Sequence, residues 1–298
     1  MKLMSAFRKY FALNAAQREF IKKGKRSFNM LPGDILNFFK PLAAFDENLD
    51  EARAQVMKII IACIIFIPVA IILIALEVVP NEFAGYMLAS PLIGIVILAL
   101  FRWFLGSFDL HNNLRNFAVP VINSIGLDMA PDKNMLLKID LSGKLIKSKL
   151  LRCVKDDPGW FTYPKTTTNF YRDYWFACSA QLADGSNLKI DIKDAIRERR
   201  RQRRNPRGKI KTKTKVKISH KIKASLALKN KTYSINETPE LRQQADSLKI
   251  KDKDRRKVVS LCSNFISTNE ETSLDPQMCL NLIGKILMNT VNTSSKGN

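Results

Sequence analysis

Two stretches of the chain are apolar at every turn of a helix. Residues 59–76 read IIIACIIFIPVAIILIAL and residues 83–101 read FAGYMLASPLIGIVILALF, both without a charge. At a rise of ~1.5 Å per residue the first is ~27 Å long as a helix, close to the ~30 Å hydrocarbon thickness of a bilayer. Buried helices of a globular core carry charges on an outer face, and a cleaved signal peptide begins far earlier than residue 59. The pattern therefore predicts a two-span transmembrane hairpin over 57–105, with helices at about 57–77 and 83–104 and a short external loop.

Elsewhere the periodicity changes twice. Residues 1–56 are basic and amphipathic: Leu3, Phe7, Tyr10 and Phe11 fall at helical spacing. Asn14 with Gln17 fits a capping pair for a second short helix, and Asp34 opens a third bearing Ile35, Leu36, Phe38 and Phe39. This region is expected at the membrane interface or on the cytosolic domain. After a connector at 106–134, the alternation becomes two over 135–232. Leu137, Ile139 and Leu141 alternate with polar residues, and Ser142-Gly143 makes a turn before a returning strand at 145–153. A strand at 170–182 places Phe170, Tyr174, Phe176, Cys178, Ala180 and Leu182 on one face. Asp184-Gly185 is a hairpin signal, and Asn205-Pro206-Arg207-Gly208 matches a type I turn. A strand beyond that turn would run from 209 to 229, with a bend or bulge expected near Ser219-His220. Six candidate strands suggest a small antiparallel sandwich or partly open barrel. Residues 233–298 read as helices with a frayed end, one starting at Thr238-Pro239-Glu240, one carrying Val258, Val259, Leu261, Cys262, Phe265 and Ile266, and one after Asp275-Pro276. The expected fold class is an α+β membrane protein: a two-span helical hairpin, a cytosolic antiparallel β-rich domain and C-terminal helices.

Charge sets the orientation. The net charge is +22. The connection at 77–82, EVVPNE, has two acids and no base, whereas both flanks are basic, so the positive-inside rule places the N- and C-termini in the cytoplasm. Half of the net charge lies in 197–217, RERRRQRRNPRGKIKTKTKVK, where twelve cations face one acid, Glu198. Those cations are Arg197, Arg199, Arg200, Arg201, Arg203, Arg204, Arg207, Lys209, Lys211, Lys213, Lys215 and Lys217. Alternation aligns the five lysines on one side of a strand. The arginine run at 197–204 is a basic arm, helical or extended, without an apolar face of its own. A polyanion-binding face follows. An anionic lipid leaflet fits a domain tethered beside a membrane, at ~1 kcal/mol per basic residue. An acidic protein partner in a membrane complex is a second occupant. Nucleic acid is a third, with aromatics between Trp160 and Phe176 as a stacking platform.

Catalytic motifs are absent. There is no phosphate-binding G-x-x-x-x-G-K-[ST], no G-x-S-x-G and no H-E-x-x-H. Asp156-Asp157 and Asp191 with Asp194 are the carboxylate pairs, set among turn and surface residues. His111 reads as interfacial and His220 as a hydrogen-bonded core histidine. Five cysteines show no metal spacing, so no metal or cofactor is expected, and free thiols are. In the second span Gly85 with Ala89, and Ser90 with Gly94, permit close helix approach within the hairpin or to a second copy. The sequence reads as a non-enzymatic membrane scaffold or subunit, with a membrane-tethered nucleic-acid binder as the alternative and an enzyme using carboxylates third.

Overall fold

The structure, a computed structural model, describes residues 2–78, 80–159, 162–229, 233–235, 246–253, 256–269 and 272–292. It divides into two units, Met1–Lys22 with Lys40–Leu110, and Lys23–Phe39 with His111–Asn298. The chain is α+β, with an eight-stranded antiparallel sheet and two helices long and apolar enough to cross a membrane.

The first unit is helical. α1 (Lys2–Ala12) and α2 (Ala15–Lys23) are separated by a reciprocal cap. The Asn14 amide donates to Gln17 Oε1 at 2.9 Å, and the Gln17 amide donates to Asn14 Oδ1 at 2.8 Å. Two orphan donors at the start of α2 are satisfied together. α3 (Pro32–Ala75) is one helix of 44 residues, whose first residues count with the second unit. Within the first unit, Leu42, Phe45, Leu49, Ala52 and Val56 are buried every three or four residues, the stripe a helix turns toward a core. Beyond Ile60 the stripe ends: Ile64, Ile65, Phe66, Ile71 and Ile72 are all exposed. α4 (Asn81–Gly106) behaves likewise, with Leu92, Ile93, Val96, Ile97 and Leu100 exposed. Only 11% and 6% of the two apolar windows are buried, so neither run fills a core of this chain. Both helices continue through their internal prolines, Pro41 and Pro68 in α3 and Pro91 in α4. Where α3 enters its apolar half and α4 leaves its own, Arg53 pairs with Asp109, and the Leu110 amide donates to buried Asp46 at 3.2 Å.

The second unit is built on the sheet. Its strands are β1 (Lys25–Met30), β2 (Met135–Asp140), β3 (Leu150–Asp156), β4 (Lys165–Gln181), β5 (Asn187–Arg204), β6 (Ile210–Lys229), β8 (Ser247–Lys253) and β9 (Arg256–Ser267). The order is β1-β2-β4-β5-β6-β9-β8, and β3 lies beside the first half of β4. β7 (Tyr233–Ile235) and β10 (Thr290–Asn292) form a separate pair. One row crosses five strands as Leu137, Cys178, Ile190, Ala224 and Leu261, all buried. Against this face lie a π-helical turn (Leu114–Ala118), α5 (Val119–Leu127) and α6 (Pro276–Met288), which bury Phe117, Val121, Ile122, Ile125, Cys279, Leu282 and Ile286. Burial pushes the Cys178 and Cys279 thiols up to about 12, and all five cysteines are free.

Several expectations change. The sheet is one eight-stranded layer whose end strands β1 and β8 do not pair among the described residues, so it is neither a two-sheet sandwich nor a closed barrel. β3 does not return along β2; it pairs with β4, while β2 pairs with β1 and β4. A register shift between Asp173 and Phe176 breaks the alternation of β4. Trp175 and Phe176 are consequently both buried, Tyr174 is 62% exposed, and Phe170 lies on the opposite face from the core. β6 pairs with β5 without any shift at Ser219-His220, so there is no bulge there. The segment expected as a helix around Val258 to Ile266 is strand β9; of the C-terminal helices, α6 forms after Asp275, whose side chain accepts the Gln277 amide at 2.9 Å. The start signal at 238–240 lies outside the described residues.

Gly24 sets the approach of β1 to β2. Its φ is +67°, and a Cβ there would sit 2.7 Å from the Ser142 backbone. Gly24→Ala is therefore expected to cost about 1–3 kcal/mol locally. Hydrogen exchange should show the β1 amides losing protection while β5 and β6 keep theirs.

Candidate polyanion-binding face

The basic segment forms the far end of the β5–β6 ribbon. Asn205 closes the turn: its amide donates to the Lys209 carbonyl at 2.9 Å and its Oδ1 accepts the Lys209 amide at 2.8 Å. Gly208 takes φ +80°, a left-handed conformation that suits glycine. The arginine run is thus extended, not helical.

Residues opposite one another in an antiparallel pair share a face. The register places Arg197 against Lys217, Arg199 against Lys215, Arg201 against Lys213 and Arg203 against Lys211. Eight cations therefore occupy one side. Neighbours along a strand on that side are ~7 Å apart, and partners across it ~5 Å. β4 extends the rows with Phe170, Thr168 and Thr166, and β3 adds Arg152, Val154 and Asp156. The Arg152 guanidinium covers Phe170 at 4.3 Å. The other side is different in kind. Glu198, the one acid of the run, accepts bonds from Asn169 at 3.0 Å and from the Tyr171 hydroxyl at 3.1 Å. Tyr171 belongs to a small apolar cluster with Ile196 and Ile218, against which Val216 and Leu145 pack.

The twelve expected cations are thus divided. Arg200 and Arg204 lie on the second side, opposite Thr214 and Ile210, and Arg204 Nε donates to the Gly208 carbonyl at 3.3 Å. Arg207 and Lys209 are in the turn. A cavity of about 470 Å³ at the ribbon end is lined by Tyr163, Pro164, Arg201, Arg203, Arg204 and Lys211 among others. Arg201 Nε is buried there without a hydrogen-bond partner among the described residues. As a stacking platform the aromatics are limited: Phe170 is capped by Arg152, Phe176 is in the core, and Trp160 lies outside the described residues. The expected helix-packing residues remain open, since a Cβ at Gly85 or Gly94 would meet no described atom within 4 Å. Ala89 and Ser90 are exposed.

A second constellation was legible only in part. On the inner side of the sheet, between the core rows and the basic end of the ribbon, a row of buried polar groups crosses the strands. Asp173 lies opposite Asp194, and Asp194 opposite His220. His220 Nδ1 is 2.8 Å from Asp194 Oδ1, and its Nε2 is 2.9 Å from Ser267 Oγ. Phe265 stacks on the imidazole at 4.4 Å. Lys149, from a short 3₁₀ turn, reaches Asp173 at 2.8 Å and Asp140 at 3.2 Å. Period-two parity already put His220 on the inner face. Asp173 and Lys149 had no such signal. The proposed carboxylate pairs do not form: Asp157 is held by Lys165 at 2.9 Å, which keeps its carboxyl below the usual range, and Asp194 is taken by His220. Carboxylate, imidazole and hydroxyl in hydrogen-bonded series is an arrangement able to activate a serine. Here it also ties β5, β6 and β9 together.

No protein-family model matches the chain, and neither does any curated protein or solved structure.

Burial pushes the Asp173 carboxyl up to about 6, with Lys149 pulling the other way. The folded chain therefore holds this proton more tightly than the unfolded chain, whose value is near 3.8. The stability that Asp173 contributes is complete below pH 3.8 and is lost as pH rises through 6. Asp173→Asn should remove that fall from the pH profile of the unfolding midpoint. His220→Ala, which leaves Asp194 buried without its partner, is expected to cost about 3–5 kcal/mol. Ser267→Ala should cost only about 0.5–1.5 kcal/mol.

Proposed function

We propose that the protein is a non-enzymatic, two-span membrane protein with both termini in the cytoplasm, whose sheet domain binds an anionic lipid surface through the ribbon's cationic face. The observation that carries this reading is the alignment of eight cations on one face. Like charges ~5 Å apart repel by about 0.8 kcal/mol even in water, and an anionic surface laid across them relieves that cost. Lipid is favoured over nucleic acid because exposed apolar helices tether the domain beside a bilayer, and because the Phe170 and Tyr174 rings are already covered by Arg152 and Lys193.

The even number of crossings has support besides charge. β1 precedes the two apolar helices and β2 follows them, yet the two pair antiparallel from Lys25 with Asp140 to Met30 with Met135. Strands of one sheet share a compartment, so the chain between them must return to the side it left. Protease sites added at each end should be cut from the cytoplasmic side only; cutting at opposite sides would overturn the topology.

For the surface itself, the full chain in phosphatidylcholine nanodiscs should capture phosphatidylglycerol vesicles, increasingly as salt falls. Replacing Arg197, Arg199, Arg201 and Arg203 by Gln should weaken capture at least about tenfold, at ~1 kcal/mol per residue. Arg200→Gln with Arg204→Gln, on the other face, should weaken it less. Equal losses from the two sets would sink the face. The nucleic-acid reading predicts instead tight, salt-steep binding to single-stranded RNA without vesicle capture. The Asp194–His220–Ser267 series favours a serine hydrolase as a further reading. Covalent labelling of Ser267 by a fluorophosphonate would establish it, and no labelling is expected.

A further inference from the structure

We infer that the base of the helical hairpin holds one anionic phospholipid, its phosphate on Arg53 and Arg102 and an acyl chain along the apolar wall beside them. This deepens the membrane reading of α3 and α4 and rests on it. A cavity of about 700 Å³ lies between the two helices where their apolar runs begin and end. Arg53, Met57 and Ile60 line it from α3, and Ala99, Arg102 and Trp103 from α4. Its size is within the ~300–1,000 Å³ common for small-ligand sites.

Three features select the ligand. First, the Nε–H groups of Arg53 and Arg102 are both buried without a hydrogen-bond partner among the described residues. A buried donor left unbonded costs about 1–3 kcal/mol, which a phosphate oxygen removes. Second, the charge fits a phosphodiester. Arg53 is already paired through Nη1 with Asp109, which also fixes its guanidinium, while no acid pairs with Arg102 among the described residues. One net positive charge then meets one negative phosphate. Third, much of the remaining lining is apolar, forming a wall of Met57, Ile60, Ala99 and Phe104. A soluble phosphate or an acidic peptide would leave that wall without a partner, whereas a diacyl lipid covers it. Trp103, 79% exposed, stands beside the site, where an indole at headgroup depth belongs. Basic pockets at the cytoplasmic ends of spanning helices are suited to anionic headgroups.

The test uses the full chain purified in a mild detergent. Native mass spectrometry should show one phosphatidylglycerol retained per chain from a mixture with phosphatidylcholine at equal amounts. Adding phosphatidylglycerol, but not phosphatidylcholine, should raise the thermal unfolding temperature. Arg53→Gln with Arg102→Gln should weaken retention about 10–100-fold, the loss expected for charge-assisted bonds. Because that pair also breaks the Asp109 contact, Ala99→Phe offers a second route: it fills the cavity, keeps both arginines and should equally expel the lipid. The Arg197, Arg199, Arg201 and Arg203 to Gln variant should retain it, separating this site from the ribbon. Equal retention of the two lipids, or retention unchanged in both cavity variants, would overturn the inference while leaving the spans in place. Release of the whole chain from membranes by alkaline carbonate would instead overturn the membrane reading beneath it. Inorganic phosphate that displaces the lipid would reassign the site to a free anion.

Discussion

The ladder between β5 and β6 is the constraint on which the rest of the sheet depends. All 18 residues of β5 pair with β6, from Asn187 against Ala227 to Arg204 against Ile210, without one shift. A side chain's face in a strand alternates with period two, so a single unbroken register fixes the inward or outward direction of every residue along it. Three chemically distinct zones are aligned by that one pairing. Leu188, Ile190 and Ile192 meet Leu226, Ala224 and Ile222 in the core, Asp194 meets His220 in the polar row, and the arginines meet the lysines at the end. Moving one strand by a residue would turn leucines outward, strand the aspartate without its imidazole and scatter the cations over both sides.

The polar row makes the register costly to change. Apolar rows tolerate repacking, since one aliphatic residue contacts another almost as well. A buried carboxylate has no such latitude, because losing its partner exposes the full cost of desolvation. Asp194 with His220, and Asp173 with Lys149, thus act as a pin through the middle of a long ribbon. This explains how a stretch of mutually repelling side chains is held in register: the repulsion acts against a ladder that is fixed from its inner end. The small cluster of Tyr171, Ile196 and Ile218 sits just beyond the pin and extends the support outward.

Where turn chemistry and alternation agree, the fold was readable. Asp184-Gly185 and Asn205 to Gly208 both close hairpins, and the lysine alternation beyond 209 is strand. The misreadings have specific causes. In β9 the inner face carries Ser263 and Ser267 beside Val259 and Leu261, so its alternation is masked and the remaining apolar residues imitate a helical spacing. In β4 one irregularity between Asp173 and Phe176 reverses the parity, so that Tyr171, Asp173 and Trp175 face inward before it and Phe176, Cys178 and Ala180 after it. β1, with Phe28 as its buried residue, is too short to announce itself among amphipathic helices. The cationic segment was visible as charge, but its division into faces needed the register. Lys149 with Asp173, and the two arginines of the hairpin base, are pairings between elements distant in sequence, which no local pattern encodes.

The pairing of β1 with β2 also bears on how the chain is made. β1 leaves the ribosome before either apolar helix, and β2 only after both. At about 5–20 residues per second, the edge of β1 waits on the order of ten seconds for its neighbour. During that interval the unpaired amides and carbonyls of the edge are open to other strands, and the charges of Lys25 and Arg26 are its protection. On the two-span reading proposed above, membrane insertion would precede sheet completion, and a chain with one helix left on the wrong side would lack its β1–β2 pairing. Under that reading the β1–β2 pairing acts as a checkpoint, passed only by molecules threaded correctly.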